Sequence, residues 1–404
     1  MNINSLTTFT SPKYPHLMWV EVESSDGFKG VGETYYWPEA SSSYVHEAIA
    51  PILMDGSSLC VEKLVQLFLR NRLTSGRMSL ETRAFSAVEC ALVDIEAQRA
   101  GSCLGGFLGG TVRDKIRVYN TGGSRLSFAE LEAFLSNLKS QGVNAFKITP
   151  YHQYVEETSG AYISRRDLEE ARSSLFEIRD SLGPDADLMI EMGCRWQPYA
   201  ARQIMQSIKD LQVLWVEDPI VVDSPQTLGD LRRECGVPLA VSEYTATIHG
   251  LTEYYRQGAV DVVMIDVGWV GGIMEARKVA TIAEQHRRPV TFHDFTGPLA
   301  YILGAHMSCV TPNAFIQESA TDFYSTWYLD VVDTLPDLSS GYVSPPRGKG
   351  IGVQFTEKFR SDANTQTRTS SVKSTGGSRW QTLDALGYIF AESNLLHLDR
   401  PAKT

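Results

Sequence analysis

The stretch "DLMIEMGCRW", residues 187–196, decides how this chain folds. Leu188, Met189 and Ile190 lead straight into Glu191, and Gly193 breaks the run. A carboxylate ending a buried strand is costly unless something compensates it. The pattern returns in "VLWVE" (213–217) and "PLAVSE" (238–243). Glu191, Glu217 and Glu243 thus follow one another at equal intervals of 26 residues, the length of a single strand–helix repeat.

Outward from these three, the same unit recurs on both sides. Short apolar strands read at "IRVYN" (116–120), "AFKIT" (145–149), "DVVMID" (261–266), "PVTFH" (289–293) and "AFIQE" (314–318). Between strands lie amphipathic stretches such as "RRDLEEARSSLFEIRDSLG" and "GGIMEARKVATIAEQH". Strand–helix alternation implies parallel pairing through crossovers. Eight such strands predict an α/β fold closed as a TIM-like barrel rather than an open doubly wound sheet. An open sheet would carry a glycine-rich phosphate loop after its first strand, and "YNTGGSRLS" (119–127) is a poor match.

The flanks read differently. Residues 1–115 predict an α+β domain: "HLMWVEVESSDGFKGVGET" (16–34) forms two strands about an Asp26-Gly27 turn. A helix follows, with Ser79 as N-cap and a stop at Gly101. The barrel is expected over 116–345. The Ser/Thr-rich segment 361–379 reads as a flexible linker. Residues 380–404 read as a docking segment, with Trp380, Leu383, Leu386 and Ile389 three apart.

Composition narrows the function. Hydrophobic residues make up 43% and charged residues 21%, ordinary for a globular protein. No apolar run approaches the roughly 18 residues of a membrane span, and the N-terminus lacks a signal-peptide pattern. The six cysteines are scattered without a CxxC pair, which predicts reduced thiols and a cytoplasmic setting. A net charge of −11 argues against a nucleic-acid surface.

The last residues of the strands carry the chemistry. Lys147, Glu191, Glu217, Glu243, Asp266, His293 and Glu318 each fall at a predicted strand end. In a parallel barrel those ends converge on one face, where the active site is assembled. One such residue is usually a salt bridge; a succession of them is hard to explain as packing. Equal spacing predicts the three glutamates at equivalent heights, where their charges repel unless a cation joins them. All-oxygen ligation selects Mg²⁺ or Mn²⁺ over zinc. Asp266 beside His293 would fix the imidazole tautomer and raise its basicity. Lys147, across the mouth from His293, suits a base or an enolate stabiliser, and Glu318 a contact to a substrate oxygen.

"DGFKGVGE" (26–33), "LVDIEAQRAG" (92–101), "LWVEDPI" (214–220), "VMIDVGWVGGIMEARKVATIAE" (263–284), "TFHDFTGPLA" (291–300) and "FIQES" (315–319) recur in order. Together they resemble the enolase superfamily, in its mandelate-racemase-like branch rich in acid-sugar dehydratases. The resemblance covers roughly residues 16–353. It implies an α+β capping domain, completed by part of 345–404, over a (β/α)7β barrel. It also implies Mg²⁺-assisted removal of the proton α to a carboxylate of a small-molecule substrate. The implied reaction is a hydro-lyase step on an aldonate or aldarate, giving a 2-keto-3-deoxy acid. Glu191, Glu217 and Glu243 are the implied metal ligands, and His293 with Asp266 the acid–base pair. Lys147 and Glu318 are expected to stabilise the enediolate from opposite sides. By the same resemblance Tyr35, Tyr36 and Trp37 are expected on a specificity loop, and Arg195, just past Glu191, is expected to bind a distal substrate group. A homo-oligomer, dimer or octamer, is also implied.

Two departures stand out. Glu191 replaces the family's usual Asp, and Thr149 stands where a second basic residue is often found. Thr149 disfavours a two-base racemase or epimerase. That activity, a lactone cycloisomerase and a non-catalytic metal-binding relative are the alternatives on the same scaffold.

Overall fold

A computed structural model describes residues 1–54, 60–66, 68, 80–123, 126–244 and 248–372. The N-terminal part is an antiparallel sheet of β1 (Ile3–Ser11), β2 (Tyr14–Ser24) and β3 (Lys29–Tyr35). Gly27, at φ +88°, lets the chain turn between β2 and β3, as the Asp-Gly signal predicts. β1 was not among the expected strands. Its alternation is visible once Leu6 is seen facing the same core as Met18, Val20 and Val22. Helix α1 (Leu80–Arg99) lies on this sheet, with Ala84, Val88, Ala91 and Ile95 in that core. Its other side, with Cys90 and Val93, joins the barrel's core. β3 approaches α1 so closely that a Cβ on Gly32 would lie 1.8 Å from the Ala87 carbonyl oxygen. The predicted cap at Ser79 lies outside the described residues.

The barrel strands are β4 (Ile116–Thr121), β5 (Ala145–Ile148), β6 (Asp187–Glu191) and β7 (Trp215–Glu217). They continue as β8 (Leu239–Val241), β9 (Val262–Ile265), β10 (Val290–Phe292) and β11 (Gln317–Ser319). Each pairs in parallel with its neighbour from β4 to β10. β11 pairs with β4, and a Val290–Ala314 bridge joins its approach to β10. The ring is therefore closed, which removes the open-sheet alternative. Seven crossover helices surround it: α2 (Phe128–Ser140), α3 (Arg165–Leu182), α4 (Pro198–Ser207), α5 (Pro225–Cys235), α6 (Ile248–Gln257), α7 (Ile273–Gln285) and α8 (Pro298–Val310). α3 illustrates their logic. Ser164 caps it by accepting from the Asp167 amide at 3.1 Å, and Gly183 ends it. Ala171, Leu175, Ile178 and Leu182 form its buried stripe, each large side chain contributing about 1.5–3 kcal/mol. No helix among the described residues is long and apolar enough to cross a membrane.

Two carboxylates of the N-terminal part clamp barrel helices. Glu33 accepts from Trp19 Nε1 at 2.6 Å and from the Ala300 amide in the first turn of α8 at 3.1 Å. Glu89 accepts from the Ile273 and Met274 amides opening α7, at 2.7 and 2.9 Å. Each satisfies helix-terminal N–H groups that would otherwise be orphaned at the junction. Burial pushes both carboxyls up to about 8. Each has a glycine against it. A Cβ on Gly272, at φ +94°, would fall 2.0 Å from Glu89 Oε2. Gly272→Ala therefore combines backbone strain with displacement of the clamp. It is expected to cost about 2–4 kcal/mol, read as a lowered midpoint in urea with unchanged slope.

One expectation is overturned. Residues 366–371, within the predicted flexible linker, form strand β14 (Gln366–Ser371). β14 pairs antiparallel along β1 from Thr10–Gln366 to Ser5–Ser371. An edge strand needs backbone partners more than buried side chains, and Thr-rich sequence supplies strand propensity without hydrophobicity. Side chains add to the seam: His46 Nδ1 lies 2.8 Å from Ser370 Oγ. Residues 373–379 of that segment and the predicted docking segment 380–404 lie outside the described residues. A hairpin of β12 (Asp337–Ser339) and β13 (Tyr342–Ser344) attaches antiparallel to the start of β4.

Candidate active site

Alternation along the strands builds the site in two layers. Tyr119, Ala145, Met189, Trp215, Ala240, Val262, Met264 and Ile316 form a buried hydrophobic cluster inside the barrel. Two residues further on, period two brings Lys147, Glu191, Glu217, Asp266 and Glu318 onto the same interior at the C-terminal ends. His293 follows Thr291 in the same way. Six of the seven predicted strand-end groups thus share one register pattern.

Glu243 does not. Glu191 and Glu217 are direct register partners, but Glu217 pairs with Ala240. Glu243 therefore lies three residues beyond that level, and the position two residues after Ala240 is Ser242. Equal spacing in sequence did not give equal height, because the loops and helices between strands differ in how they return the chain. Even so, Glu243 Oε1 comes to 3.9 Å from His293 Nε2.

Lys147 stands among the carboxylates. Its Nζ is 2.5 Å from Glu217 Oε1, 2.7 Å from Glu318 Oε1 and 3.4 Å from Glu191 Oε2. Lys147 and Glu318 are thus in direct contact, which corrects the expectation that they act from opposite sides. Glu217 also accepts from Trp215 Nε1 at 3.0 Å, and Glu191 from the Gly193 amide at 2.5 Å. Burial opposes the charge on Lys147, but Glu217 and Glu318 outweigh it and hold the ammonium well above its usual range. Burial raises Glu191 and Glu217, and Glu191 raises Glu217 further. Glu318 goes the other way, since Lys147 and His293 overcome its burial.

The second pair is His293 and Asp266. His293 Nδ1 lies 2.7 Å from Asp266 Oδ2, while Asp266 Oδ1 accepts from the Gly268 amide at 2.8 Å. Nε2 is left facing the carboxylates, 3.9 Å from Glu318 Oε2. Burial disfavours the imidazolium, yet Glu243, Glu318 and Asp266 together push its pKa up to about 10.

The rim is aromatic, and Trp269 and Tyr244 were not anticipated in it. Trp269, three residues past Asp266, has its ring centroid 5.4 Å from that of His293. Tyr244, Tyr36 and Tyr35 pack on Trp269 at 5.7, 5.8 and 6.4 Å. Tyr36 and Trp37 hold left-handed backbone conformations, at φ 70° and 53°, and Trp37 is 73% exposed. Arg83 on α1 was missed too, because nothing local distinguishes it from an ordinary helical arginine. Arg195, expected to meet substrate, is exposed at the turn after β6, near His152. Burial first and Arg195 second push the His152 imidazole down to about 4.

A sequence profile described as Enolase C-terminal domain-like matches residues 130–359. The chain belongs to the enolase superfamily. A second profile, Mandelate racemase / muconate lactonizing enzyme, N-terminal domain, matches residues 4–109 of this superfamily member. It is 28% identical over 365 residues to a D-galactonate dehydratase of Ralstonia pickettii, covering 88% of this chain and 93% of that one. It is 30% identical over 281 residues to a D-gluconate dehydratase of Thermoproteus tenax, covering 68% of this chain but only 55% of that protein's length. Its fold superposes on an enolase of the mandelate racemase subgroup from Agrobacterium tumefaciens with TM-score 0.85 and 33% identity, covering 93% and 100% of the two chains. An enolase protein from Sargasso Sea environmental sequencing gives TM-score 0.86 and 35% identity, covering 92% and 99%.

Membership of the enolase superfamily implies a divalent metal ion. Among the described residues, no three Asp, Glu, His or Cys side chains converge as a ligand set, since Glu191 and Glu217 close on Lys147. The donor chemistry nonetheless fits a hard dication. Glu191, Glu217 and Glu243 offer oxygen only, and Glu243 Oε2 is buried without a hydrogen-bond partner. Carboxylates also outnumber Lys147 and His293 in this buried cluster, and that excess is what raises the His293 pKa. Added positive charge would bring the imidazole back toward neutrality, the state a base requires.

Proposed function

We propose that this enzyme dehydrates an acid sugar, an aldonate or aldarate, to a 2-keto-3-deoxy acid, with Mg²⁺ held by Glu191, Glu217 and Glu243. The observation that carries this reading is the His293–Asp266 pair, its Nε2 directed into a carboxylate-lined barrel mouth. The named activities of the two dehydratase relatives support it. When bound, the ion supplies Lewis-acid stabilisation of charge developing on the substrate carboxylate.

The chain's own groups do the proton work. Asp266 accepts a hydrogen bond from Nδ1–H and so leaves the Nε2 lone pair free to take the substrate's α-proton. The C–H electrons pass into the enediolate. His293 then returns its proton to the β-hydroxyl, the C–O bond breaks and water leaves. The enol tautomerises to the keto acid. Lys147, in contact with Glu191, Glu217 and Glu318, serves as a cation that orients these carboxylates. Glu318, bridged between Lys147 and the Asp294 amide, presents its second oxygen toward His293. Thr149, in place of a second base, weighs against a racemase; its Oγ1 is buried without a partner.

The test is a panel of aldonates and aldarates with Mg²⁺, assayed for 2-keto products. Turnover of at least one acid, abolished by chelator, is expected. Solvent-deuterium exchange at the α-carbon without elimination would instead favour an epimerase. Partners outside a ligand shell commonly change metal affinity 10–100-fold, so Glu191→Gln should weaken Mg²⁺ binding by at least about tenfold. Glu191→Asp should retain most of it. Equal affinities for wild type and Glu191→Gln, measured calorimetrically, would remove Glu191 from the ligand set.

A further inference from the structure

Arg83 is a cation that the chemistry above does not use. It projects from α1, in the N-terminal part, toward the rim of the barrel. Its guanidinium carbon sits 3.8 Å from the Trp269 ring centroid and 5.1 Å from that of Tyr36. Nη1 donates to the Tyr35 carbonyl at 3.1 Å. Among the described residues this is its hydrogen bond, and no carboxylate lies within ion-pair reach of it.

Trp269 contacts both this cation and the ring of the base. Its ring is 3.8 Å from Arg83 Cζ and 5.4 Å from the His293 ring, which together hold the guanidinium within about 9 Å of the imidazole. That is a distance an extended hexose-derived acid can bridge. With one carboxyl end near His293, the far end of such a molecule falls toward Arg83. Two aromatic faces shield the guanidinium from water while leaving donors in its planar fork. A partly desolvated guanidinium that touches no carboxylate among the described residues, and only feels Asp266 and Glu243 at longer range, gains most from an anion, above all a carboxylate bound by two parallel N–H groups. A hydroxyl offers much less. The strained turn at Tyr36 and Trp37 is tied to the same side chain through the Tyr35 carbonyl, so the cation and the rim are held as one unit.

We propose that Arg83 is a specificity-determining residue that binds the distal carboxylate of a diacid sugar, making an aldarate the preferred substrate class over an aldonate. This rests on the acid-sugar reading above. A purely structural Arg83, bracing Tyr36 and Trp269, is the competing explanation.

The test separates binding from turnover. Matched aldarate and aldonate pairs of the same carbon skeleton are titrated calorimetrically into the full-length His293→Asn protein with Mg²⁺, with and without Arg83→Met or Arg83→Lys. A charge-assisted contact predicts that at least one diacid binds about 10- to 100-fold tighter than its monoacid partner. Arg83→Met should abolish that preference, and Arg83→Lys should keep part of it. Equal weakening of both ligands by Arg83→Met, or no diacid preference in any pair, overturns the proposal. Keto-acid formation by the wild type is scored separately. A diacid preference that depends on Arg83, without any dehydration, supports the assignment of Arg83 and counts against the dehydratase reading alone. Melting curves of the variants report on folding.

Discussion

His293→Asn is expected to lower kcat/KM on an accepted acid sugar by about 10²–10⁴-fold, the range of a lost general base. Asparagine is smaller than histidine and can still hydrogen-bond Asp266, which also keeps its contact to the Gly268 amide. The carboxyl group at Asp266 is therefore not orphaned, and the fold should survive. None of the proposed metal ligands is altered, so Mg²⁺ affinity should stay near the wild-type value. The informative result is the split: turnover lost, metal retained. Near-wild-type rates would sink the base assignment. Loss of metal together with turnover would instead place His293 in the ligand set. Asp266→Asn should cost less, because the imidazole remains while the preference for the Nδ1-protonated tautomer is lost.

Lys147→Met should be the most destabilising single change at the barrel mouth. Methionine matches the length of lysine and loses the charge. Glu217, fully buried, and Glu318 would then face each other and Glu191 without the ammonium that now touches all three. Removing one partner of a buried ion pair typically costs about 3–5 kcal/mol. The carboxyls have a way to relax, which is to take up protons. Burial already raises Glu191 and Glu217, and loss of Lys147 removes what holds them down. A carboxyl whose folded pKa lies above its unfolded value binds more protons when folded, so stability falls as pH rises between those values. The gap in melting temperature between wild type and Lys147→Met should thus widen from pH 5 to pH 8. Mg²⁺ should narrow it at pH 8. A gap independent of pH and metal would show that Lys147 acts through packing alone.

Which parts of this protein were legible in the sequence follows from the range of the forces involved. The eight barrel strands were readable because each is a short apolar run punctuated by an amphipathic helix, and both periods are properties of neighbouring residues. The ionisable strand ends were readable for the same reason. A carboxylate closing "LMI" or "LWV" contradicts its own local pattern, and such contradictions mark sites. The Asp26-Gly27 turn announced itself through backbone sterics alone. β14 escaped because its hydrogen bonds go to β1, more than 350 residues away in sequence (Ser5 to Ser371), while its composition is that of a linker. Its pairing is invisible to any window of sequence.

The site divides along the same line. By itself the sequence determined which strand-end groups gather at the barrel mouth, since parallel strands end on one face and period two aims all of them but Glu243 inward. Only the tertiary structure decided how those side chains meet. Strand register sets Glu191 beside Glu217 and leaves Glu243 higher. It also brings Lys147 into the middle of the carboxylates instead of across from His293 alone. Docking of α1 over the barrel carries Arg83 onto Trp269, joining residues that no local pattern relates. Periodicity is fixed by the geometry of one chain segment, whereas register and docking are settled by packing between segments that are distant in sequence.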